Sequence, residues 1–357
     1  MPGYPTNGKE ARMDAAVLVA DVQEIFQSAG MAARDARLLA DSLVVADLRG
    51  VHSHGVLRVP EYVEKLTVGG VNPAGRPFLT SDNGAALVID GDNAMGQIAC
   101  TFAMERVIER ADETGLAAAA IRGSNHCGAL FYFVEMALRH DMIGIATTNA
   151  LPTMAPWGGR DKILGINPFA AAVPASAEPP VILDAAFSAS SHGKIRVFHQ
   201  KGVVLPERWA FDEQGQPTTD PAEAIKGLLQ PIGEYKGTGL AIVMGILSSL
   251  LSGAAFGTEL GNMVAGPKPG LDGQFVLAIK VSAFEDPQRF KARVDGVVRQ
   301  IRESRPAPGF DRCYAPGELE FLTEERYRCE GIPLNPETLA GLRLARASAA
   351  SAKAGLA

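Results

Sequence analysis

The chain has 357 residues, of which 47% are hydrophobic and 21% charged, and its formal net charge is −6. This length and composition indicate a globular protein with two or three subdomains rather than a largely disordered chain. Because no block of lysines and arginines interrupts the acidic balance, the sequence predicts neither a nucleic-acid partner nor an anionic membrane surface.

The four cysteines are widely separated and form no Cys-x-x-Cys motif. This spacing argues against a zinc ribbon, a redox-active dithiol and a disulfide framework. The first ten residues are polar, so we expect no secretory signal and a cytoplasmic location. His52 and His54 form an H-x-H pair, but no further ligand pattern accompanies it, and we predict no metal site.

Helical patterns dominate the first 75 residues. Apolar residues at helical spacing predict two amphipathic helices across residues 9–48, separated at Ala29-Gly30, and a third over 60–66. Further along, the predicted strands are 86–89, 116–121, 143–148, 169–173, 181–183 and 275–280, and the predicted helices are 98–114, 130–139, 192–201 and 286–303. Residues 209–221 are expected to be irregular because glycine and proline recur there. Two more helices and a frayed tail, 347–357, end the chain.

An uncharged stretch at 237–257 is about as long as a bilayer span. It contains five glycines and three serines, and no basic flank accompanies it. These features favour a buried helix that packs closely through small residues. We therefore predict no membrane span.

The elements together predict a mixed α/β (α+β) fold. We expect a helical domain over residues 1–75, completed by about 305–350 from the C-terminus, and an α/β region over 76–304 that comprises two subdomains. No G-x-G-x-x-G motif follows a strand, and no P-loop is present. A dinucleotide would therefore bind without the usual glycine turn.

The first chemical motif surrounds Ser53. His52 and His54 bracket this serine in a loop closed by glycines, and Arg58 follows four residues after His54. An imidazole moves protons near neutral pH, a neighbouring hydroxyl orients it, and an arginine fork suits a carboxylate. The alternative for this motif is a solvated helix-capping turn.

Three further positions suit an anion or an active site. The stretch 123–128 joins a predicted strand to a predicted helix, where backbone N–H groups with Asn125 and His126 can hold an anion. Asp184 ends an apolar strand and can orient an imidazole. Lys236 opens a helix, where a cation is unfavourable unless an anion compensates it. The alternatives are a capped turn, a helix cap and a solvated lysine, respectively.

Eight stretches, in order across about residues 46–334, together resemble the malate/L-lactate dehydrogenase family, whose members lack a Rossmann fold. They are ADLRGVHSHGVLRVPEYVEKLTVGGVNP, GSNHCGALFYFVEMA, PWGGRDKILGINPFAAAVP, VILDAAFSASSHGKI, WAFDEQGQPTTDP, EYKGTGLA, LSGAAFG and PAPGFDRCYAPGE. The family also includes ureidoglycolate, sulfolactate and diketogulonate dehydrogenases and piperideine-2-carboxylate (ketimine) reductases.

The resemblance implies a nicotinamide-binding domain built on a largely antiparallel sheet, a helical domain from both termini, and a homodimer. It also implies NAD or NADP as the cofactor and a small carboxylate as the substrate. The implied reaction is hydride transfer at C2 of a 2-oxo or 2-hydroxy acid, or alternatively of a cyclic 2-imino acid.

Carried over position by position, the resemblance implies that His54 is the proton donor and that Ser53 and Asp184 orient it. His126 is the second candidate for the acid/base role. Substrate binding falls to Arg58 and Thr153. The implied cofactor contacts are Asn125, His126, Cys127, Gly128, Ala129, Gly165, Ile166, Asn167, Lys236, Pro316, Gly317 and Glu318.

Ile166 departs from the family pattern, because the family usually has threonine there. The sequence does not select between NAD and NADP. Two other classes of function share some of these features. A lyase or hydrolase could use the same Ser-His-Asp set, but the G-x-S-x-G turn is absent. A non-catalytic binding protein could keep the fold, but the intact His54, Asp184 and Lys236 oppose that interpretation.

Overall fold

The computed structural model describes residues 10–260 and 271–355. Its helices are α1 (Ala15–Ser28), α2 (Ala33–Leu48), α3 (Val59–Thr67), α4 (Gly96–Thr114), α5 (Phe131–Val134), α6 (His192–Gln200), α7 (Pro221–Lys226), α8 (Tyr235–Gly245), α9 (Pro287–Arg302), α10 (Glu318–Glu330) and α11 (Pro336–Gly355). Its strands are β1 (Ala11–Met13), β2 (Phe78–Asn83), β3 (Ala86–Asp90), β4 (Leu116–Ser124), β5 (Met142–Thr148), β6 (Pro152–Met154), β7 (Leu164–Gly165), β8 (Phe169–Val173), β9 (Val181–Ala185), β10 (Ala210–Phe211), β11 (Pro217–Thr218), β12 (Leu228–Leu229), β13 (Asp272–Lys280) and β14 (Ile332–Leu334). The predictions for residues 1–9 and 356–357 lie outside the described residues.

A seven-stranded sheet in the order β2-β3-β4-β13-β5-β8-β9 forms the centre of the fold. Its neighbouring strands are antiparallel except β3 and β4, which are parallel. Strand β13 is central, and its Phe275 pairs with Ala120 on one side and Thr147 on the other. The predicted mixed α/β fold with a largely antiparallel sheet is therefore confirmed.

Helix α4 packs on this sheet through small side chains. Ala117 and Ala119 of β4 are fully buried, as are Ala103 and Val107 of α4. Because alanines leave room between the layers, the helix can lie close to the strands. This packing fixes the end of β4, where the loop that carries His126 begins.

Both ends of the described chain pack in one helical core. Leu18 and Phe26 of α1 belong to the same buried cluster as Ile332 of β14 and Ala345 of α11. Strands β1 and β14 pair in antiparallel register, with Met13 opposite Ile332. Because Ala345 and Ala349 are buried, α11 continues as far as Gly355, and the predicted fraying of the tail from residue 347 is wrong for the described part.

A third, smaller core surrounds the short strands β10–β12. Ala210 pairs with Thr218 on one side and with Leu229 on the other. The Asp212 carboxylate accepts hydrogen bonds from the backbone N–H groups of Gln214 and Gln216, which closes the turn between β10 and β11. The prediction that residues 209–221 lack regular structure is therefore wrong at these short strands.

The uncharged stretch 237–257 differs from its prediction. Helix α8 ends at Gly245 and continues as a π-helical turn over Ile246–Leu250. Leu240, Val243, Leu250 and Leu251 of this stretch are exposed, so the predicted burial fails on one face. Within residues 10–260 and 271–355, no helix has the length and apolar character needed to cross a bilayer.

Candidate active site

A buried carboxylate at the end of α2 fixes the loop that carries the serine and histidine motif. Asp47 is 2% exposed. One of its oxygens accepts a hydrogen bond from Nδ1 of His52 (2.7 Å) and the other from the backbone N–H of Val56 (2.7 Å). A Cβ at Gly55 would lie 2.2 Å from this carboxylate, so only glycine fits there. The loop between α2 and α3 is therefore held around Asp47.

Replacing Asp47 with alanine is expected to lower the free energy of unfolding by about 1–3 kcal/mol, because it leaves the buried N–H of Val56 without an acceptor. Urea unfolding measures this loss. The matched control is Glu223→Ala, which removes an exposed pair with Lys226 and should change stability by less than about 1 kcal/mol. Equal losses in the two variants would contradict the anchoring role of Asp47.

The structure brings together the two histidines that the sequence placed in separate motifs. The rings of His54 and His126 stack with centroids 5.7 Å apart and an interplanar angle of 7°. Nδ1 of His54 lies 2.9 Å from Oγ of Ser53. The predicted pairing of Ser53 with His54 is present, and His126 lies directly beside it.

Both imidazoles are held neutral near pH 7 in the free chain. Burial lowers the pKa of His54 to about 3, with a smaller contribution from the positive charge of Arg58. Burial also lowers the pKa of His126 well below its usual value, and Arg58 and His54 add to the effect. A substrate carboxylate that pairs with Arg58 would offset part of this electrostatic contribution and raise the pKa of both histidines.

Arg58 connects the loop to the first turn of α3. Its Nε donates to the backbone oxygen of Ser53 (2.8 Å), and Nη1 donates to Glu61 (2.8 Å). Nη2 makes no hydrogen bond within the described part of the chain. The guanidinium therefore has both a fixed orientation and donors left for a ligand carboxylate.

Two residues that the sequence did not single out lie behind His126. The Tyr62 hydroxyl is 2.7 Å from Nδ1 of His126, and Nε2 of Gln97 donates to that hydroxyl (3.2 Å). Tyr62 and Gln97 are fully buried. At its helical spacing on α3, Tyr62 resembles a core residue, and no signal in the sequence connects Gln97 to the site.

Asp184 does not hydrogen-bond to His54 within the described residues. Its carboxylate accepts a hydrogen bond from the backbone N–H of Phe131 (2.9 Å), at the start of α5. The expected buried strand is instead the exposed edge strand β9, and Leu183 and Asp184 are both exposed. Asp184 therefore holds the far end of the loop that carries His126, and its predicted role in orienting His54 stays a prediction.

Hydrogen bonds of the Asn125 side-chain amide hold the loop after β4 against residues 93–94. Nδ2 of Asn125 donates to the side chain of Asn93 (3.0 Å) and to the backbone oxygen of Ala94 (2.9 Å). Cys127 and Ala129 point into the core, and Gly128 has a φ of +76°. This arrangement fixes the path of the loop, and its predicted cofactor contacts stay predictions.

The stretch Gly165-Ile166-Asn167 lies against α8. Asn167 donates to the backbone oxygen of Ala241 (2.8 Å) and accepts from the N–H of Ala150 (2.9 Å). On neighbouring strand β6, the hydroxyl of Thr153 is buried and has no partner among the described residues. A buried hydroxyl without a partner is costly and fits a position that a ligand completes.

The N-terminal turn of α8 has the features of an anion site. No side chain caps this helix, Lys236 lies exposed in its first turn, and the buried hydroxyl of Thr238 lacks a partner within the described chain. Gly233 and Glu234 precede the helix with φ values of +55° and +61°. The lysine and the unsatisfied hydroxyl are groups that can bind phosphate, whereas the N–H groups of Lys236, Gly237 and Thr238 already donate to backbone oxygens of the preceding turn.

The turn Pro316-Gly317-Glu318 lies against β9. The N–H of Ile182 donates to the backbone oxygen of Pro316 (3.1 Å), and Gly317 has a φ of +88°. Glu318 is buried and accepts from Nε of Arg302 (2.9 Å) and the N–H of Ala315 (3.0 Å). The carboxylate of Glu318 is therefore occupied by hydrogen bonds within the protein. The turn contacts β9 at Ile182, two positions before Asp184.

Within the described ranges, no cluster of three or more histidine, cysteine, aspartate or glutamate side chains could hold a metal ion. The described residues instead supply two neutral imidazoles beside an oriented arginine and, on a separate element, the start of α8 with Lys236. Such a site can bind a carboxylate, donate hydrogen bonds to a carbonyl oxygen and hold a phosphate.

Comparison with known proteins relates this arrangement to a family. A sequence profile of the malate/L-lactate dehydrogenase family matches residues 13–343. The chain is 36% identical to malate dehydrogenase of Pyrococcus abyssi, over 89% of each chain. It is 39% identical to L-sulfolactate dehydrogenase of Methanocaldococcus jannaschii, over 85% of this chain and 86% of that protein.

The chain is also similar to solved structures. The Δ1-piperideine-2-carboxylate reductase of Pseudomonas syringae superimposes with a TM-score of 0.84 at 28% identity, covering 94% of this chain and 99% of that one. Because the profile spans most of the chain and both relatives exceed 30% identity over more than four fifths of it, the predicted resemblance is confirmed. The chain belongs to the malate/L-lactate dehydrogenase family of oxidoreductases.

Proposed function

We propose that the protein transfers a hydride between a nicotinamide dinucleotide and C2 of a small 2-oxo or 2-hydroxy acid of the malate or lactate type. The observation that carries this proposal is the placement of Arg58 beside the stacked His54 and His126. In a 2-oxo acid the carboxylate is next to the carbonyl group. Arg58 can bind the carboxylate while the two neighbouring imidazoles face the carbonyl oxygen.

The residues present fit a dinucleotide. Its diphosphate needs a cation and hydrogen-bond donors, and at the start of α8 the exposed Lys236 and the unpartnered hydroxyl of Thr238 supply them. The buried, unpartnered hydroxyls of Thr238 and Thr153 are available to a ligand. The loops 125–129, 165–167 and 316–318 would complete the site, as the resemblance implies.

Replacing Lys236 with alanine is expected to weaken cofactor binding by about 1–3 kcal/mol, the contribution of one charge-assisted contact. Titration of NADH and NADPH fluorescence measures this loss. The control, Lys226→Ala, removes an exposed lysine that pairs with Glu223 and should leave the affinity unchanged. Unchanged affinity in the Lys236 variant would place the diphosphate elsewhere.

In the proposed reaction, Arg58 binds the substrate carboxylate through the donors that Ser53 and Glu61 leave free. When bound, the reduced nicotinamide supplies the hydride. Pairing of Arg58 with the substrate carboxylate raises the pKa of His54, so that the ring can take up a proton from solvent before the transfer. The protonated His54 gives this proton to the oxygen on C2 and returns to the neutral form, while Ser53 orients its ring through Nδ1. Asp184 holds the start of α5 and thereby the loop that carries His126.

A cyclic 2-imino acid is the second candidate substrate, because the structural similarity to a piperideine-2-carboxylate reductase is nearly complete in coverage. The same groups would bind its carboxylate and protonate its nitrogen. A panel of 2-oxo acids and cyclic imines, tested by absorbance with NADH and with NADPH, ranks the two substrate classes and the two cofactors. Failure to oxidise either cofactor with any member would contradict the proposed function.

We also propose that the protein is a cytoplasmic homodimer. The exposed apolar residues of α8 and the turn after it, Leu240, Val243, Leu250 and Leu251, form a surface that a second copy would cover. The four cysteines are free thiols, as expected in a reducing compartment. In the proposed division, residues 1–75 and about 305–350 form the helical domain, and 76–304 bind cofactor and substrate.

A further inference from the structure

We infer that Tyr62 is a positioning residue that fixes His126 in one neutral tautomer, so that His126 donates a hydrogen bond to the substrate oxygen while His54 supplies the proton. This inference rests on the proposed function for the reaction that it describes. Its structural part, the tautomer of His126, can be tested in the free protein.

The tautomer follows from the two partners of Nδ1 of His126. The backbone N–H of Gly128 points at this nitrogen from 3.3 Å, and a backbone N–H can only donate. This long contact favours a lone pair on Nδ1 and places the proton of the neutral ring on Nε2, but by itself it holds the tautomer only weakly.

Tyr62 provides the second donor to the same nitrogen. Its hydroxyl oxygen lies 2.7 Å from Nδ1 and accepts a hydrogen bond from Nε2 of Gln97 (3.2 Å). Because Gln97 donates to the oxygen, the hydroxyl proton is directed to His126. Burial raises the pKa of Tyr62, which keeps the hydroxyl protonated as a donor.

These contacts give the two histidines different capabilities. His126 can donate its Nε2 proton in a hydrogen bond, but giving that proton away would leave an imidazolate. Protonating Nδ1 would break the contact with the N–H of Gly128 and would force the hydroxyl of Tyr62 to reverse from donor to acceptor. Nδ1 of His54 instead faces the hydroxyl of Ser53, which can donate or accept. His54 can therefore gain and lose a proton, whereas His126 serves as a fixed donor to developing negative charge.

The tautomer is measured directly by nitrogen NMR of the free protein labelled with ¹⁵N-histidine, with the signals of His126 assigned by their loss in a His126→Gln variant. We expect Nδ1 to show a lone-pair shift and Nε2 a protonated shift, unchanged between about pH 5 and 8. A protonated Nδ1 in the wild-type protein would overturn the inference.

Replacing Tyr62 with phenylalanine removes one of the two donors. We expect the second tautomer of His126 to appear and its pKa to rise, because the neutral ring loses a contact that favoured it. The turnover number should fall by about 10- to 100-fold, with KM changed by less than about threefold. An NMR spectrum identical to that of the wild type would overturn the assignment.

The matched control is Tyr132→Phe, which removes a partly buried hydroxyl that donates to Asp41 (2.9 Å). This variant should leave the His126 signals unchanged and the turnover within about twofold. Equal losses of turnover in the two variants would show that the hydroxyl of Tyr62 is merely structural. The NMR measurement needs no substrate. Absence of activity with every 2-oxo acid and imine would therefore contradict the proposed function but leave the assignment of the His126 tautomer unchanged.

Discussion

Alanine at position 54 is expected to lower the turnover number by about 10²–10⁴ while leaving the affinity for NAD(P)H nearly unchanged. The reason is that the partly buried His54 is the imidazole whose Nδ1 faces a hydroxyl able to donate or accept, 2.9 Å away on Ser53. Steady-state kinetics with the best 2-oxo acid gives the turnover number, and fluorescence titration gives the cofactor affinity.

The control for this variant is His140→Ala, which removes an exposed histidine at the end of the 3-10 segment Glu135–His140 and should change neither quantity. If His126→Ala shows the large loss of turnover and His54→Ala does not, the proton donor is His126 and the two roles must be exchanged. Loss of cofactor affinity in the His54 variant would instead show a binding defect.

The sequence predicted the parts of the site that lie close together in the chain. Ser53, His54 and Arg58 fall within six residues, so that one loop and the first turn of a helix necessarily bring them near each other. His126 was found through its loop motif, but its stacking on His54 depends on how α3 packs beside the end of β4. That packing is set by tertiary contacts, and no residue spacing encodes it.

Tyr62 and Asp47 were missed because, in the sequence, each resembles a residue with a purely structural role. Tyr62 occupies a core position of an amphipathic helix, and its hydroxyl becomes informative only once His126 is known to lie 2.7 Å away. Asp47 precedes the histidine motif by several residues and resembles an ordinary helix-terminal carboxylate. Its burial beneath the loop follows from the close approach that Gly55 permits.

The fold was predictable where hydrophobic patterns are strong and less so at its edges. The central strands of the sheet, with buried alanines and valines, were found, whereas edge strand β2 (Phe78–Asn83) was missed because it is mostly exposed and polar. The apolar residues of α8 were interpreted as buried, but several face outward from the single chain. Apolarity indicates that a surface will be covered, and it does not identify what covers it.

Exchanging Arg58 for lysine is expected to raise KM and lower the turnover number, with a combined loss in kcat/KM of at least about tenfold. In the structure, Nε of Arg58 already holds the backbone oxygen of Ser53 and Nη1 holds Glu61, both at 2.8 Å. A guanidinium can keep these contacts and still offer N–H donors to a carboxylate. An ammonium group has three donors in a compact cluster and would have to surrender some contacts to make the others.

The loss should appear in turnover as well as in KM, because carboxylate placement sets the distance and angle at which C2 meets the hydride. Arg110→Lys is the matched control, since it alters a partly exposed arginine paired with Asp82 and should leave kcat/KM within about twofold. If the Arg58 variant loses less than about threefold in kcat/KM, the side chain lies outside the substrate site and its role is confined to the ion pair with Glu61. A rise in KM alone, with turnover unchanged, would assign Arg58 to substrate capture without a part in aligning C2.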